Sequence, residues 1–325
     1  MGTFNLFGKK KEYEPAEIYL GLRNQFLSLT QDQVTTLLDP TIPIIGVLME
    51  TGYDEAVASL VTVADGSASL YFSNGGGMIG LGEHEEPRKA CIDFLSFANQ
   101  FLSKSTPTSD FHLPSKGYTT FYFVTKDGIS TATAKEKDLV KNRSPLSLLY
   151  YKAHEIISQA RLIDEKIQRT VQEFIHAATT GDEAKVIELL DTNKNPNAPD
   201  SSGRTPLMGA AYSGQPRILK LLLEKKVAID QKDSSGYTAL MFACNAGKFS
   251  CAEFLVERDA KINESANDGS TSIMFAAQHG HNDIVKYLLS KGADPTIKGK
   301  HGLSAIGFAQ QNNLIETEKI LQGKK

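Results

Sequence analysis

Between residues 14 and 29 the apolar side chains Ile18, Leu22, Phe26 and Leu29 recur at the spacing of one helix face, which predicts an amphipathic helix. Residues 44–49 form a short, continuously apolar run, the pattern of a buried strand. Residues 60–63 and 69–72 are joined by Ala64-Asp65-Gly66-Ser67. An Asp-Gly step supplies the positive φ of a tight turn, so these two segments are expected to pair as a hairpin. Pro87 opens a second helix, with Ala90, Cys91, Phe94, Leu95, Ala98 and Leu102 on one side. A second hairpin spans 119–134 and turns at Lys126-Asp127-Gly128. The order helix, three strands, helix, two strands, helix predicts an α+β domain, an antiparallel sheet with helices on one face.

From residue 145 to 178 the apolar positions Leu146, Leu149, Tyr150, Ala153, Ile156, Ile157, Ala160, Ile163, Ile167, Val171 and Phe174 keep one helical period without Gly or Pro. Two readings are open. One helix of ~50 Å could be shared by two domains, at ~1.5 Å per residue, or two helices could meet at a break within 161–166.

Beyond this point the pattern repeats itself. Gly203, Gly236, Gly269 and Gly302 are each 33 residues from the next. Two residues after each stands a hydroxyl, Thr205, Thr238, Thr271 or Ser304, placed to cap the helix that follows. Pro206 then takes a first helical position, where its missing N–H costs nothing. Ala177, Ala210, Ala243, Ala276 and Ala309 keep the same period and suit helices packed closely between neighbours. Gly181, Gly214, Gly247 and Gly280 break the chain between paired helices. Each second helix closes on Leu189-Leu190, Leu222-Leu223, Leu255-Val256 or Leu288-Leu289, an apolar end that needs an adjacent repeat to bury it.

The segments Gly203-Arg204-Thr205-Pro206-Leu207, Gly236-Tyr237-Thr238-Ala239-Leu240 and Ala276-Ala277-Gln278-His279-Gly280-His281, with the repeat-ending turn Gly292-Ala293-Asp294, resemble the ankyrin repeat family. The resemblance implies an all-α solenoid: a helical cap at about 171–197, three full repeats, and a truncated C-terminal repeat at about 299–323. Domains of 1–160 and 161–325 follow. One departure stands out. The family usually carries His after the Thr-Pro-Leu segment, where it ties neighbouring loops, whereas Met208, Met241, Met274 and Gly307 stand here. Thioether packing is expected to replace those polar ties. The first half loosely resembles the roadblock and profilin-like sandwiches, in element order alone.

Composition narrows the function. In 325 residues, 41% are hydrophobic and 22% charged, the balance of a folded globular chain. The formal net charge is −3 and no face is dense in Lys and Arg, so nucleic acid is not expected as a partner. No apolar run reaches the ~18 residues of a membrane helix. Cys91, Cys244 and Cys251 are too few for a disulfide framework, and a reducing, cytoplasmic setting fits. Cys244 and Cys251 fall at core positions of paired helices. At the N-terminus Gly2 suggests myristoylation, but Leu6 stands where that motif wants Ser or Thr.

Candidate chemistry is sparse. Gly75, Gly77 and Gly80 formally match a dinucleotide pattern after a strand and before a helix. Yet the last glycine lies six residues before Pro87 instead of in the helix's opening turn, and Glu83, Glu85 and Glu86 would repel an anion. The stretch is expected to be a loop that uses glycine's backbone freedom. His84-Glu85 has no second histidine at zinc spacing, and no further ligand set converges on His279 and His281. No catalytic residue, metal or cofactor is expected.

The leading reading is therefore an intracellular protein-protein interaction module or adaptor that grips a partner on the concave repeat surface. The ankyrin resemblance implies contact at loop tips and inner-helix ends, which here are Arg204, Tyr237, Ser270 and Leu303 after the repeat glycines and Tyr212, Asn245 and Gln278 near the inter-helix ones. Two other readings remain. In one, the repeats regulate a small-molecule or nucleotide-binding first domain. In the other, the first domain self-assembles, as a homodimer, through an exposed sheet edge.

Overall fold

A computed structural model describes residues 15–74, 77–78, 84–192, 194–225 and 227–323. The chain divides into two compact units, Met1–Asp164 and Glu165–Lys325.

The first unit is built on an antiparallel sheet. Its strands are β1 (Ile44–Gly52), β2 (Val57–Val63), β3 (Ala68–Phe72), β4 (Gly77–Met78), β5 (Thr106–Pro107), β6 (Tyr118–Thr125) and β7 (Gly128–Lys135). They lie in the order β4-β3-β2-β1-β6-β7-β5. Both expected hairpins form, with Leu60 opposite Leu70 and Phe121 opposite Ala132. The strands missed by the pattern, β4 and β5, are the two edges. Two residues are too short for any period to show, and Pro107 suits an edge where no N–H is needed.

Helices cover both faces of this sheet, not one as expected. Inward-pointing Val47, Met49, Leu60, Phe121 and Phe123 pack against Cys91, Phe94, Leu95 and Ala98 of α2 (Glu85–Ala98) and Leu149, Ala153 and Ile156 of α4. Helix α4 (Ser147–Thr180) follows the short α3 (Glu136–Val140) and is continuous, without a break at 161–166. The unit boundary falls within it.

On the opposite sheet face Leu48, Val61, Tyr122 and Val124 pack against Phe26 and Leu27 of α1 (Glu17–Leu27). The buried side of α1 is rotated from the one the apolar spacing suggested, keeping Phe26 and Leu29 but not Ile18. Ile18 is 77% exposed, while Tyr19 and Arg23 are buried. Arg23 Nε donates to one carboxylate oxygen of Glu50 and a terminal guanidinium nitrogen to the other, both at 2.8 Å, and Glu50 is a fully buried residue of β1. Tyr19 donates its hydroxyl to Glu50 at 2.7 Å, Ser59 lies 3.0 Å from the Tyr19 oxygen, and the guanidinium sits 5.5 Å from the Tyr122 ring centre. A bidentate pair of this kind fixes orientation as well as charge.

The second unit stacks helix pairs. The end of α4 pairs with α5 (Glu183–Asp191). Then come α6 (Pro206–Ser213) with α7 (Pro216–Leu223), α8 (Ala239–Asn245) with α9 (Phe249–Val256), α10 (Ser272–Gln278) with α11 (Asn282–Ser290), and α12 (Ala305–Gln311) with α13 (Ile315–Leu321). One core runs through them, from Phe174 to Leu321, and includes Met208, Met274, Cys244 and Cys251. The repeat glycines are required by geometry. Gly203 and Gly236 have φ of +78° and +83°, and a Cβ on either would meet the next repeat's backbone nitrogen at 2.6 Å.

Thr205, Thr238 and Ser304 cap α6, α8 and α12, accepting from Met208, Met241 and Gly307 backbone N–H groups at 3.4 Å. Thr271 makes no such bond to α10. Thr238→Ala is therefore expected to lower stability by ~1 kcal/mol, and Thr271→Ala by less. Denaturant midpoints compared at equal slope check this.

Candidate partner-binding surface

Two of the loop tips are each folded by an aspartate of their own. Asp200 Oδ1 accepts the backbone N–H groups of Ser202 and Arg204, both at 2.9 Å, and Asp233 Oδ1 accepts those of Ser235 and Tyr237. Successive tips are then tied by main-chain bonds, Ser234 N–H to Ser202 O and Asn267 N–H to Ser235 O, both at 3.0 Å, and Lys300 N–H to Asp268 O at 2.7 Å. The loops are thus held without the usual histidine, and Met208, Met241 and Met274 are buried as expected.

Arg204 is less free than its position implied. Its guanidinium grips Asp200 Oδ2 at 2.8 Å, and that carboxylate is itself buried. Burial pushes the Asp200 carboxyl upward, but the Arg204 backbone N–H, its guanidinium and the Ser202 N–H outweigh this and leave it below the ordinary aspartate range. A depressed folded value means that the stabilisation is present above the unfolded pKa of ~3.9 and is lost as pH falls through the folded value. Asp200→Asn is expected to make the melting of the repeat unit less acid-sensitive, checked by melting both proteins at neutral pH and below about pH 4.

The aromatic residues come together. Tyr212 is 51% exposed and stands edge-on to Phe242, ring centres 6.3 Å apart. Tyr237 packs edge-on to Phe242 at 6.1 Å and to Phe275 at 5.2 Å. Such edge-to-face contacts favour a fixed geometry. Phe242, Phe275 and Phe308, one on each of α8, α10 and α12, were missed from the sequence, although their 33-residue period was there to read. All three are partly buried against the repeat core, and Phe242 and Phe275 meet the tyrosines.

The remaining candidates differ. Asn245 and Gln278 are partly exposed at the ends of α8 and α10, where Asn245 Oδ1 lies 3.0 Å from His279 Nε2 and the Gln278 carbonyl accepts from Asn312. Leu303 is partly exposed beside α12. Ser270, its backbone N–H bonded to Asp268, is only 8% exposed and has little surface to offer a partner.

Elsewhere the described residues offer little chemistry. No group of three or more His, Cys, Asp or Glu is placed to hold a metal ion, and no helix is long and apolar enough to cross a membrane. All three cysteines are buried and free of disulfides. Burial pushes the Cys91 thiol up to about 12 and the Cys251 thiol up to about 11, so neither is a ready nucleophile. Of the glycine stretch, Gly77 lies in β4, paired with Tyr71 of β3 instead of in a free loop. Gly75 and Gly80, like Glu83 and the N-terminal Gly2 and Leu6, lie outside the described residues.

Among protein families, the model described as Ankyrin repeats (3 copies) matches residues 153–233 and 208–299. The N-terminal half is matched by no family model. A search of curated proteins finds no match to the chain.

Proposed function

We propose, from the premise that the C-terminal half of this chain carries ankyrin repeats, that it acts as an adaptor binding a partner protein on its inner-helix face. Ankyrin repeats are in general protein–protein interaction modules. The observation that supports this face is the contiguous set Tyr212, Phe242, Tyr237 and Phe275, since aromatic residues dominate binding energy at protein interfaces. Arg204 belongs to the tip scaffold through Asp200 and contributes to the rim. Asn245, Gln278 and Leu303 border the aromatic set. The buried free thiols support a reducing, cytoplasmic setting.

Self-assembly through the sheet draws little support, because the described edge strands are two residues each and offer scant ladder to a second copy. A nucleotide role draws none from the charge near the glycine stretch, where Glu85 and Glu86 open α2.

The test is affinity capture from the native cell with the full chain and with a Tyr212→Ala/Tyr237→Ala variant. Partners are expected to be retained by the first and lost by the second, with the variant still folded at the capture temperature although the lost edge-to-face contacts lower its melting. Equal capture by both would move the binding surface elsewhere.

A further inference from the structure

The chemistry of the partner can be narrowed at the second loop tip, on the reading that the face of Tyr212, Phe242, Tyr237 and Phe275 is the binding surface. The first tip shows how such a tip holds a cation. There Asp200 gives one oxygen to the Ser202 and Arg204 backbone N–H groups and the other to the Arg204 guanidinium, which donates through Nε at 3.0 Å and a terminal nitrogen at 2.8 Å. One period on, Asp233 repeats the first half of this arrangement, its Oδ1 accepting the Ser235 and Tyr237 N–H groups at 2.9 and 2.8 Å. The second half is missing, because Tyr237 stands where the first tip has Arg204.

Among the described residues no cation of the chain takes that place. Lys232, next to Asp233 in sequence, is bound instead to Glu264 at 2.7 Å and to the Ser265 carbonyl at 2.8 Å. Asp268 is brought beside the second tip by the bond from Asn267 N–H to Ser235 O, and its Oδ1 accepts the Ser270 N–H. Lys300 meets Asp268 at the carbonyl, main chain to main chain. Neither Asp233 nor Asp268 joins an ion pair among the described residues.

Tyr237 lies within the field of both carboxylates. Burial pushes its hydroxyl above the ordinary tyrosine value, and the charges of Asp268 and Asp233 push it further. Its ring is partly exposed and stands at 83° to the rings of Phe242 and Phe275. A guanidinium suits such a place better than an ammonium, since it is planar, pairs with carboxylates as a fork and stacks on aromatic faces. The third tip does not repeat the combination, because Ala266 and Ser270 stand where the second has Asp233 and Tyr237.

We propose that the second loop tip binds an arginine side chain of the partner protein, with the guanidinium paired to Asp233 and Asp268 against the ring of Tyr237.

The probe is a fluorescein-labelled peptide with arginine at every third position between leucine and serine, titrated into the full chain. Saturable binding is expected, weakened about tenfold or more when citrulline, an uncharged isostere, replaces arginine. Asp233→Asn with Asp268→Asn should weaken it as much, with melting near the parent's, since a carboxamide oxygen still accepts the N–H groups of the tip. Tyr237→Arg gives the second tip the residue that the first one has, and should abolish binding by filling the site from within. As a control, Glu224→Gln with Glu257→Gln removes the same charge from the exposed ends of α7 and α9 and should leave binding unchanged. The proposal is overturned if the parent does not bind the arginine peptide, if citrulline or lysine serves equally well, or if Tyr237→Arg binds like the parent. It is equally overturned if the control variant loses as much as the aspartate variant. Were cellular capture to depend on Tyr212 and Tyr237 while the arginine peptide failed to bind, the surface would stand and its arginine would fall. If capture were insensitive to both tyrosines, the surface itself would be wrong.

Discussion

Replacing Arg23 by alanine is expected to cost the N-terminal unit ~3–5 kcal/mol, because the substitution strands a carboxylate inside a sheet–helix interface. Glu50 is fully buried, and Arg23 supplies its only cation among the described hydrogen-bond partners. Tyr19 and Ser59 stay bonded to Glu50 but carry no charge to balance it. A buried pair is a weak source of net stability compared with apolar packing of the same volume. Arg23→Met with Glu50→Leu should therefore restore most of the loss, while each single change stays severe. Chemical denaturation of the four proteins closes the cycle. Additive losses would mean that the two side chains act independently, against their 2.8 Å contacts.

Removing residues 299–325 is expected to destabilise the whole repeat unit. Helices α12 and α13 cover α10 and α11, whose Ile273, Ala276, Ala277, Ile284 and Leu288 are buried in the shared core. Uncovering two large aliphatic side chains alone costs ~3–6 kcal/mol, against a whole-domain stability of ~5–15 kcal/mol. The loss should pass along the stack, since each repeat lacks a core of its own. A fall in the repeat unit's melting temperature, comparable with the ~2–5 kcal/mol expected for Leu207→Ala, is the outcome to look for. Melting at the parent's temperature would contradict the stacking.

The repeat half was legible because its constraints recur. Glycine at positive φ, a hydroxyl cap and a small residue at a helix contact each return every 33 residues, so a chance match at one place is outvoted by the others. The same register could have revealed Phe242, Phe275 and Phe308, which were passed over because phenylalanine on a helix reads as core. Ser270 misled for the opposite reason. Its equivalents Arg204 and Tyr237 carry long side chains that reach beyond the tip, whereas a serine is too short to do so. In the first half, hairpins with Asp-Gly turns declared themselves locally. The rotation of α1 did not, since a buried Tyr19-Arg23 side follows from Glu50 on a strand distant in sequence. Apolar spacing cannot show a polar interface.

The ties between loop tips have a consequence for how such a chain grows. Ser234 bonds back to Ser202, Asn267 to Ser235 and Lys300 to Asp268, each link made by main chain and each one period on. Because the link is made by main chain, a duplicated segment that kept its repeat glycine would carry this tie at both of its seams. Tandem copying of 236–268 would lengthen the molecule by a unit whose tip ties need no new side chain, while the residues facing outward stayed open to change. Length and selectivity can then be altered by separate events in the chain's history.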